Sequence, residues 1–478
     1  MPDFVTPYKS LTEPTVNSDN NVWGGILNTD ISLIDSAFGG TVSIAITGTT
    51  GTVTSTQAQN TGFVFTGSLT ALNVVTWPVG FYGAAFITNS TTGNQLIQCG
   101  MSGGNYATIL SGEAVVVWSD GTNFNRISVL GAAPNVLINP FMEIDQVNEG
   151  SSVSLSSGTP SYVVDGWEAS FHSSSAVVTA QRVADGPLSF PNSLKLTVST
   201  GAAVGGSDYL FIRQPVEANN ITDLAFGAAA AATLSLTFWV KSSIGSYTMS
   251  GFIQNFAATR AYPFNATVSS SATWTKITVP IPGDVAGSWV TSGNAGGMYV
   301  GLVAAAGSGY QSTANTWVGS GYLGTSSNTN TILSTSGATF QITAVKLEAS
   351  PIPTPYGRRN FEDELARCLR YYGKSYPLGT AVGNTTSTGS TSVVYFSLSG
   401  STPTVAEIVY LPVSMRATPT VTPYSPNSGT SGKGYDAQNS VDVTCSIGNQ
   451  SEKSFLWQMV SGSAATVLEF HHTRDARL

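Results

Sequence analysis

The sequence predicts a mainly β, multi-domain chain of jelly-roll or β-sandwich modules joined by short helices, and three observations lead there. Strand-length apolar runs such as EAVVVWSDG and ATLSLTFWVKS recur along the chain, separated by GTTGT, TTGN and SDGTN, whose residues favour tight turns. Fifty glycines and long Ser/Thr runs accompany 41% apolar residues, so there is enough β-branched side chain to bury and disorder is excluded. Only two stretches carry a helical period.

Residues 1–20 read as an extended polar arm. From Trp23 onward, Leu27, Ile31, Ile34 and Phe38 recur at spacings of four, three and four between glycines, which predicts a short amphipathic helix and completes a first segment, 1–40. In a β chain such a helix is either a local lid or a member of a small bundle with identical chains. Residues 41–131 are strand material (TVSIAI, FVFTG, ALNVVTW, FYGAAFITN, EAVVVWSDG), and Asp120-Gly121 marks a tight hairpin. GAAPN at 131–135 reads as a linker. The span 136–350 has the strand spacing of a sandwich, and in ATLSLTFWVKS the residues Leu234, Leu236, Phe238 and Val240 share one face. SPIPTP at 350–355 ends that unit, because closely spaced prolines cannot sit in a ladder. After a linker helix within 356–376, residues 377–478 return to short strands as a third β unit.

The second helical stretch, NFEDELARCLRYYGKSY, is unlike its surroundings: residues 358–376 carry eight charged side chains, as many as residues 201–340. Asn360 is a good N-cap, Glu362, Asp363 and Glu364 fill the first turn, and the basic residues come later, where the helix end is negative. Asp363 and Arg367 stand four apart and are placed to pair. Phe361, Leu365, Cys368 or Leu369, and Tyr372 form one apolar stripe. A helix this short must dock on something, and a junction between two β units suits a meeting of identical copies on a symmetry axis.

A net charge of −8 with only 10% charged residues argues against nucleic acid as a partner. Cys99, Cys368 and Cys445 are distant and odd in number, giving neither a disulfide framework nor a metal knuckle, and they read as buried thiols made in a reducing cytosol. MPDFVTPYKS lacks the features of a signal peptide, and AFGAAAAATL at 225–234 is too short to cross a bilayer, so no membrane insertion is expected. GxSxG, HExxH and phosphate-cradling motifs are absent; no catalytic residue, metal or cofactor is assigned.

The segment 286–330 places Trp289, Tyr310, Trp317 and Tyr322 among small polar residues. Apolar sugar faces stack on flat rings while Asn, Asp or Gln hold the polar edges, so these four are candidate glycan contacts; the alternative is that they fill a core or a subunit contact. Trp167 reads as a core tryptophan. His471 and His472 are consecutive and point to opposite faces of a strand, which disfavours a shared metal within one chain. Glu143 and Asp145, at i and i+2, fit one strand face as a carboxylate pair, or else a solvated edge.

The runs LINPFMEI (137–144), VVDGWEASF (163–171), SLKLTV (193–198), FIRQPVE (211–217), LTFWVKS (236–242), WTKITVPIPGD (274–284) and the closing ITAVKLEASPIPTPYGRRNFEDELARCLRYYGKSY (342–376) resemble the carbohydrate-binding-module-like sandwich of tailed-bacteriophage fibre and minor tail proteins. The closing pattern there is a Leu-Glu pair, a Pro-rich link and a Glu-Leu-x-x-Cys-x-Arg-Tyr-Tyr helix. Here these are Leu347 and Glu348, then Glu364, Leu365, Cys368, Arg370, Tyr371 and Tyr372. The resemblance implies a homotrimeric fibre, made in the host cytoplasm and carried on the virion tail. Its N-terminus would meet other tail or baseplate proteins, and 377–478 would be the outer tip. Ile31, Ile34, Phe38, Phe361, Leu365, Leu369 and Tyr372 are then the candidate trimer contacts. The function expected is attachment to a host surface polysaccharide; the rivals are a collar or adaptor protein without host contact, and a polysaccharide depolymerase.

Overall fold

The computed structural model describes residues 4–5, 12–13, 23–93, 95–109, 111–127, 133–187, 189–396, 404–462 and 465–478. Most of the expected N-terminal arm, and Gly131 and Ala132 of the expected linker, lie outside the described residues. The chain is mainly β, with several sheet modules and a few short helices, and it divides into two compact units, 1–131 and 132–478.

In the first unit a helix spans Trp23–Gly39. Its C-terminus is tied to the β module that follows, with Gly40 N donating to Ser36 O at 2.9 Å and the Thr61 hydroxyl donating to Ala37 O. Ile31, Ile34 and Phe38 are exposed, Phe38 to 87%.

The module after it is β, as its strand-length runs predict, but its pairing is largely parallel. Thr41–Ala45, Gly62–Thr66 and Tyr82–Asn89 pair in parallel, with Thr41, Gly62 and Phe86 in register. Thr50–Thr52, Asn73–Trp77 and Ile97–Met101 likewise pair in parallel in a second sheet. The chain alternates between the two sheets and so winds as three coils around Phe63, Phe65, Val75, Trp77, Ile87 and Ile97, all buried. Buried asparagines satisfy backbone at the corners, where ladder partners run out: Asn73 Nδ2 donates to Thr47 O and Gly48 O, and Asn89 Nδ2 to Gln95 O and Ile109 O. The Asp-Gly hairpin does form, between Ala114–Asp120 and Phe124–Ile127. Gly121 takes φ 94°, and Asp120 Oδ1 accepts from Thr122 N and Asn123 N.

The second unit holds the sandwich. One sheet runs Val153–Ser154, Val177–Val183, Ser193–Thr200, Thr339–Glu348, Leu234–Ser242, Thr275–Ile281. The other runs Ser161–Val164, Trp167–His172, Tyr209–Glu217, Gly296–Ala306, Tyr247–Asn255, Ala261–Val268, and both are antiparallel. Leu234, Leu236, Phe238 and Val240 face the common core as their alternation predicts, with Trp167 fully buried among them. The Trp167 indole N–H donates to the carbonyls of Ile138 and Asn139.

The charged helix spans Phe361–Leu369 and is shorter than the sequence suggested. Tyr372–Lys374 is a strand paired with Thr473–Asp475 in the C-terminal sheet, whose long strand Ala465–Asp475 also pairs with Thr391–Phe396, Thr420–Tyr424 and Lys433–Asp436. The helix is locked within its own chain. Glu364 is buried and accepts from Asn139 N at 2.6 Å and from Arg359 Nη1 at 2.9 Å. Arg370 forks onto the buried Glu217, Nε at 2.9 Å and Nη2 at 2.5 Å, and the Tyr371 hydroxyl donates to the same carboxylate at 2.8 Å. Burial alone would raise the Glu217 pKa, but these donors outweigh it and hold the carboxyl below its usual range.

Two further expectations are corrected here. Tyr372, placed on an intersubunit stripe by the sequence, is buried in its own chain with the Arg477 guanidinium 4.7 Å from its ring centre. The face turned inward is that of Glu364 and Cys368, because the Asn139 turn offers an N–H that only an acceptor can use; Phe361 is exposed, and Leu365 and Leu369 are half-buried. Asp363 and Arg367 do not pair: Arg367 has no acceptor among the described residues. All three cysteines are buried free thiols, as the sequence predicts.

Candidate functional site

The loop after Thr275–Ile281 begins Pro-Gly-Asp and folds around one carboxylate. Asp284 is buried and accepts from Arg260 Nε at 2.9 Å, Arg260 Nη2 at 2.7 Å and Trp289 Nε1 at 2.9 Å. Burial pushes its pKa up, but the hydrogen bonds from Arg260 and Trp289 prevail and keep it ionised below the usual range. The loop needs glycine at 287, where a Cβ would stand 2.3 Å from Asp284 Oδ2 and 2.5 Å from Trp289 Nε1.

Trp317 arrives from a different segment. A two-way backbone bridge between Val318 and Ala261, at 3.0 and 2.8 Å, clamps it beside the strand Ala261–Val268, and its indole N–H donates to Pro282 O at 2.8 Å. The two tryptophans meet edge to face, ring centres 5.7 Å apart at 89°. Phe226 lies 4.8 Å from Trp289 and 5.7 Å from Trp317, and Tyr262 lies 5.2 Å from Trp317. Both indoles are half-buried at the margin of the sandwich core.

The chemistry of this corner follows from its bonds. Each indole N–H is already used by the protein, so the rings are fixed in orientation and what they offer outward is apolar ring surface. Arg260 spends Nε and Nη2 on Asp284, while Nη1 has no protein acceptor among the described residues, and its guanidinium carbon is 5.9 Å from the Trp317 ring centre. A rigid aromatic surface beside a fixed hydrogen-bond donor suits the apolar face and hydroxyl edge of a sugar ring.

The four candidate aromatics therefore separate into two places. Tyr310 is on the opposite face of the second sheet, edge-on to Tyr209 at 5.3 Å and 88°, in a cluster with Phe211, Phe252, Val303 and Leu323. Tyr322 is half-buried next to Leu323, whose N–H donates to Tyr310 O at 3.0 Å. On this second face the sequence reading missed Arg213, which pairs with Glu168 and stands 4.0 Å from the Tyr299 ring centre; Phe256 stacks on Tyr299 at 4.6 Å. The signal was present in DYLFIRQPVE, where Tyr209, Phe211 and Arg213 alternate with the core residues Leu210, Ile212 and Val216.

The Glu143–Asp145 pair and the two consecutive histidines are engaged by the protein itself. Glu143 and Asp145 do not sit on a strand as the sequence suggested. Residues 136–150 form turns in which Asp145 accepts from Asn148 N and Gly150 N, and Glu143 pairs with Arg358. Burial lifts Asp165 to about 6 despite hydrogen bonds from Gln146 N and Nε2. His471 bonds to the Ser375 hydroxyl and Thr386 O, while His472 lies on the other face between Phe455 and Phe470. Among the described residues no group of three His, Cys, Asp or Glu side chains is placed to hold a metal.

No protein-family model matches the chain, and no curated protein matches it. Among solved structures, a putative sugar-binding protein from Bacteroides thetaiotaomicron is similar at 15% identity over 45% of this chain and 100% of that one, with a TM-score of 0.24. A family 11 carbohydrate-binding module from Clostridium thermocellum, in complex with a β-1,3-1,4-mixed-linked tetrasaccharide, is similar at 14% identity over 42% of this chain and 96% of that one, TM-score 0.22. The enzymatically active domain of tailspike protein 4 of bacteriophage CBA120 is similar at 11% identity over 65% of this chain and 39% of that one, TM-score 0.24. Likeness at this level bears on no residue of the site.

Proposed function

We propose that this chain is a glycan-recognition protein of a bacteriophage particle and that the corner formed by Trp289, Trp317 and Arg260 makes the sugar contact. The observation that carries the reading is the locked pair of half-exposed indoles with one unspent guanidinium N–H beside them. A site whose rings are already fixed loses little conformational freedom when a sugar stacks on it, which favours binding. The low charge of the chain fits a partner held by stacking and hydrogen bonds. The virion role rests on the resemblance of residues 342–376 to the closing segment of tail fibres.

The test is retention of the purified protein on immobilised bacterial surface polysaccharides. Trp317→Ala is expected to weaken retention by at least about 30-fold, as loss of a central aromatic anchor does, with the melting temperature monitored in parallel. Trp317→Phe should keep part of the binding. Equal retention of Trp317→Ala and the unmodified chain on every polysaccharide would remove the site, and new reducing ends appearing in the polysaccharide would turn the reading toward a depolymerase.

The same proposal includes a trimer. Ile31, Ile34 and Phe38 leave an apolar stripe exposed on their helix, and three copies of such a stripe bury one another in a parallel bundle. Light scattering should give three times the 49.6 kDa of one chain, and Ile31→Asp with Ile34→Asp should lower that mass; a single-chain mass for the unmodified protein would contradict it.

A further inference from the structure

One basic side chain of the junction helix is left over by the clamp described above. Arg359 and Arg370 are spent on Glu364 and Glu217, whereas Arg367 has no protein acceptor among the described residues. It lines a cleft of about 360 Å³ between the helix, the 3₁₀ segment Ala218–Leu224 and the chain entering the sandwich. That volume lies within the range of about 300–1,000 Å³ usual for small-ligand sites.

The other walls are polar on one side and apolar on the other. Val136 and Leu224 supply apolar surface, while Asn219, Asn220 and Asp223 come from the 3₁₀ segment. Asn219 is held by its own bonds, Oδ1 accepting from Gly293 N and Nδ2 donating to Glu217 Oε1. Among the described residues the Asn220 side chain bonds only through Nδ2, which donates to the Tyr371 hydroxyl at 3.4 Å and leaves Oδ1 open as an acceptor. Asp223 has no bonded partner among the described residues. The cleft therefore presents a guanidinium, an amide oxygen and a carboxylate to whatever enters it, beside an apolar patch. Burial, and then the charge of Arg359, lower the Arg367 pKa; both effects would be offset by a bound anion.

We propose that this cleft binds a carboxylate-bearing sugar of the uronic acid class. Arg367 takes the carboxylate, for which a planar fork of N–H donors is the best match among side chains. Asn220 Oδ1 and Asp223 accept from ring hydroxyls, and Val136 and Leu224 lie against the apolar ring face. A simple carboxylate leaves the two acceptors unused, and a second acid group on the ring would be repelled by Asp223. The inference rests on the glycan reading for its ligand class but uses a different set of residues, so the two can fail separately.

The experiment is calorimetric titration of the full chain with D-glucuronate, D-glucose, acetate and glycine in turn. Glucuronate is expected to bind at least about tenfold more tightly than the other three, and Arg367→Gln should lose about tenfold or more of that affinity, the size of a lost charge-assisted pair. Since Arg367 makes no bond among the described residues, the variant should melt at the same temperature as the parent. Trp317→Ala should bind glucuronate unchanged. The proposal is overturned if glucuronate does not bind, if Arg367→Gln binds it equally well, if acetate or glucose matches it, or if glycine binds more tightly, which would make the cleft a site for a zwitterion.

Discussion

Glu348→Ala destabilises the 132–478 unit by about 3–5 kcal/mol, the cost of stripping one partner from a buried ion pair. Glu348 and Lys346 lie two apart on the strand Thr339–Glu348 and so share a face. Their side chains are 0% and 2% exposed, and the Lys346 ammonium is 2.8 Å from Glu348 Oε2. The pair is also a clasp on the proline-rich exit: Lys346 Nζ donates to Thr354 Oγ1 at 2.6 Å and Pro355 O at 2.9 Å, and Thr354 N donates to Glu348 Oε1 at 2.9 Å. Thr354 Oγ1 in turn accepts from Ala133 N at 2.9 Å, so the segments entering and leaving the sandwich are pinned together. Alanine at 348 leaves the ammonium buried with neutral acceptors only. Urea unfolding followed by tryptophan fluorescence should show the loss, and the double replacement Lys346→Met with Glu348→Leu should recover much of it. A shift below about 1 kcal/mol for Glu348→Ala would mean that water reaches the pair.

His472 makes the chain acid-labile. Burial is the main cause that holds its pKa at about 3, with the charge of Arg474 and then His471 adding to it. Arg474 Nη1 lies 3.2 Å from His472 Nε2 and uses the neutral ring as an acceptor. The unfolded chain takes up a proton near pH 6.5, where the native ring refuses it. Stability is thus present above about pH 6.5 and drains away as pH falls toward about 3, at up to about 1.4 kcal/mol per pH unit.

Asp165 acts in the opposite sense. Its raised pKa of about 6 favours the folded state below the unfolded value and loses that contribution as pH rises through 6. The comparison that isolates the histidine is therefore His472→Gln against the parent, since glutamine keeps an acceptor for Arg474 but does not titrate. The difference in unfolding free energy should move in favour of the variant by about 3 kcal/mol between pH 8 and pH 4. A difference independent of pH would mean that His472 protonates in the folded state.

The sandwich was legible because its signals are local. Alternation in ATLSLTFWVKS put four residues in the core, the Asp-Gly pair made its hairpin, and Trp167 took the buried place predicted for it. Pairing direction is not local: a run such as FVFTG has the same composition whether its neighbour arrives from a hairpin or after a full coil, and the three-coil module was missed for that reason. The junction helix shows a second limit. Its hydrophobic pattern pointed to Phe361, Leu365 and Tyr372 as one stripe, but the buried face was decided by Asn139, a residue more than two hundred positions away that needed the Glu364 carboxylate. Of the four proposed sugar contacts, Trp289 and Trp317 converge because separate loops deliver them to one strand edge, while Tyr310 falls on the other face of the sheet.

The closing segment 347–372 also has a physical role in the fold. Leu347 faces the core and Glu348 clasps the exit; Glu364 then fastens the helix to the Asn139 turn, Arg370 and Tyr371 fasten it to Glu217, and Cys368 is buried beneath it. On the other side the carbonyls of Arg370 and Tyr371 accept from Arg416 N and Ala476 N, and Tyr372–Lys374 joins the C-terminal sheet, so the segment ties the sandwich to that sheet within one chain.

A structure of the full chain grown with an oligosaccharide that it retains tests the central claim most directly. The account predicts a pyranose ring stacked on the exposed surface of Trp317, with a ring hydroxyl within hydrogen-bond distance of Arg260 Nη1. A sugar bound over Tyr299 and Arg213 on the other face, with Trp289 and Trp317 bare, would contradict it.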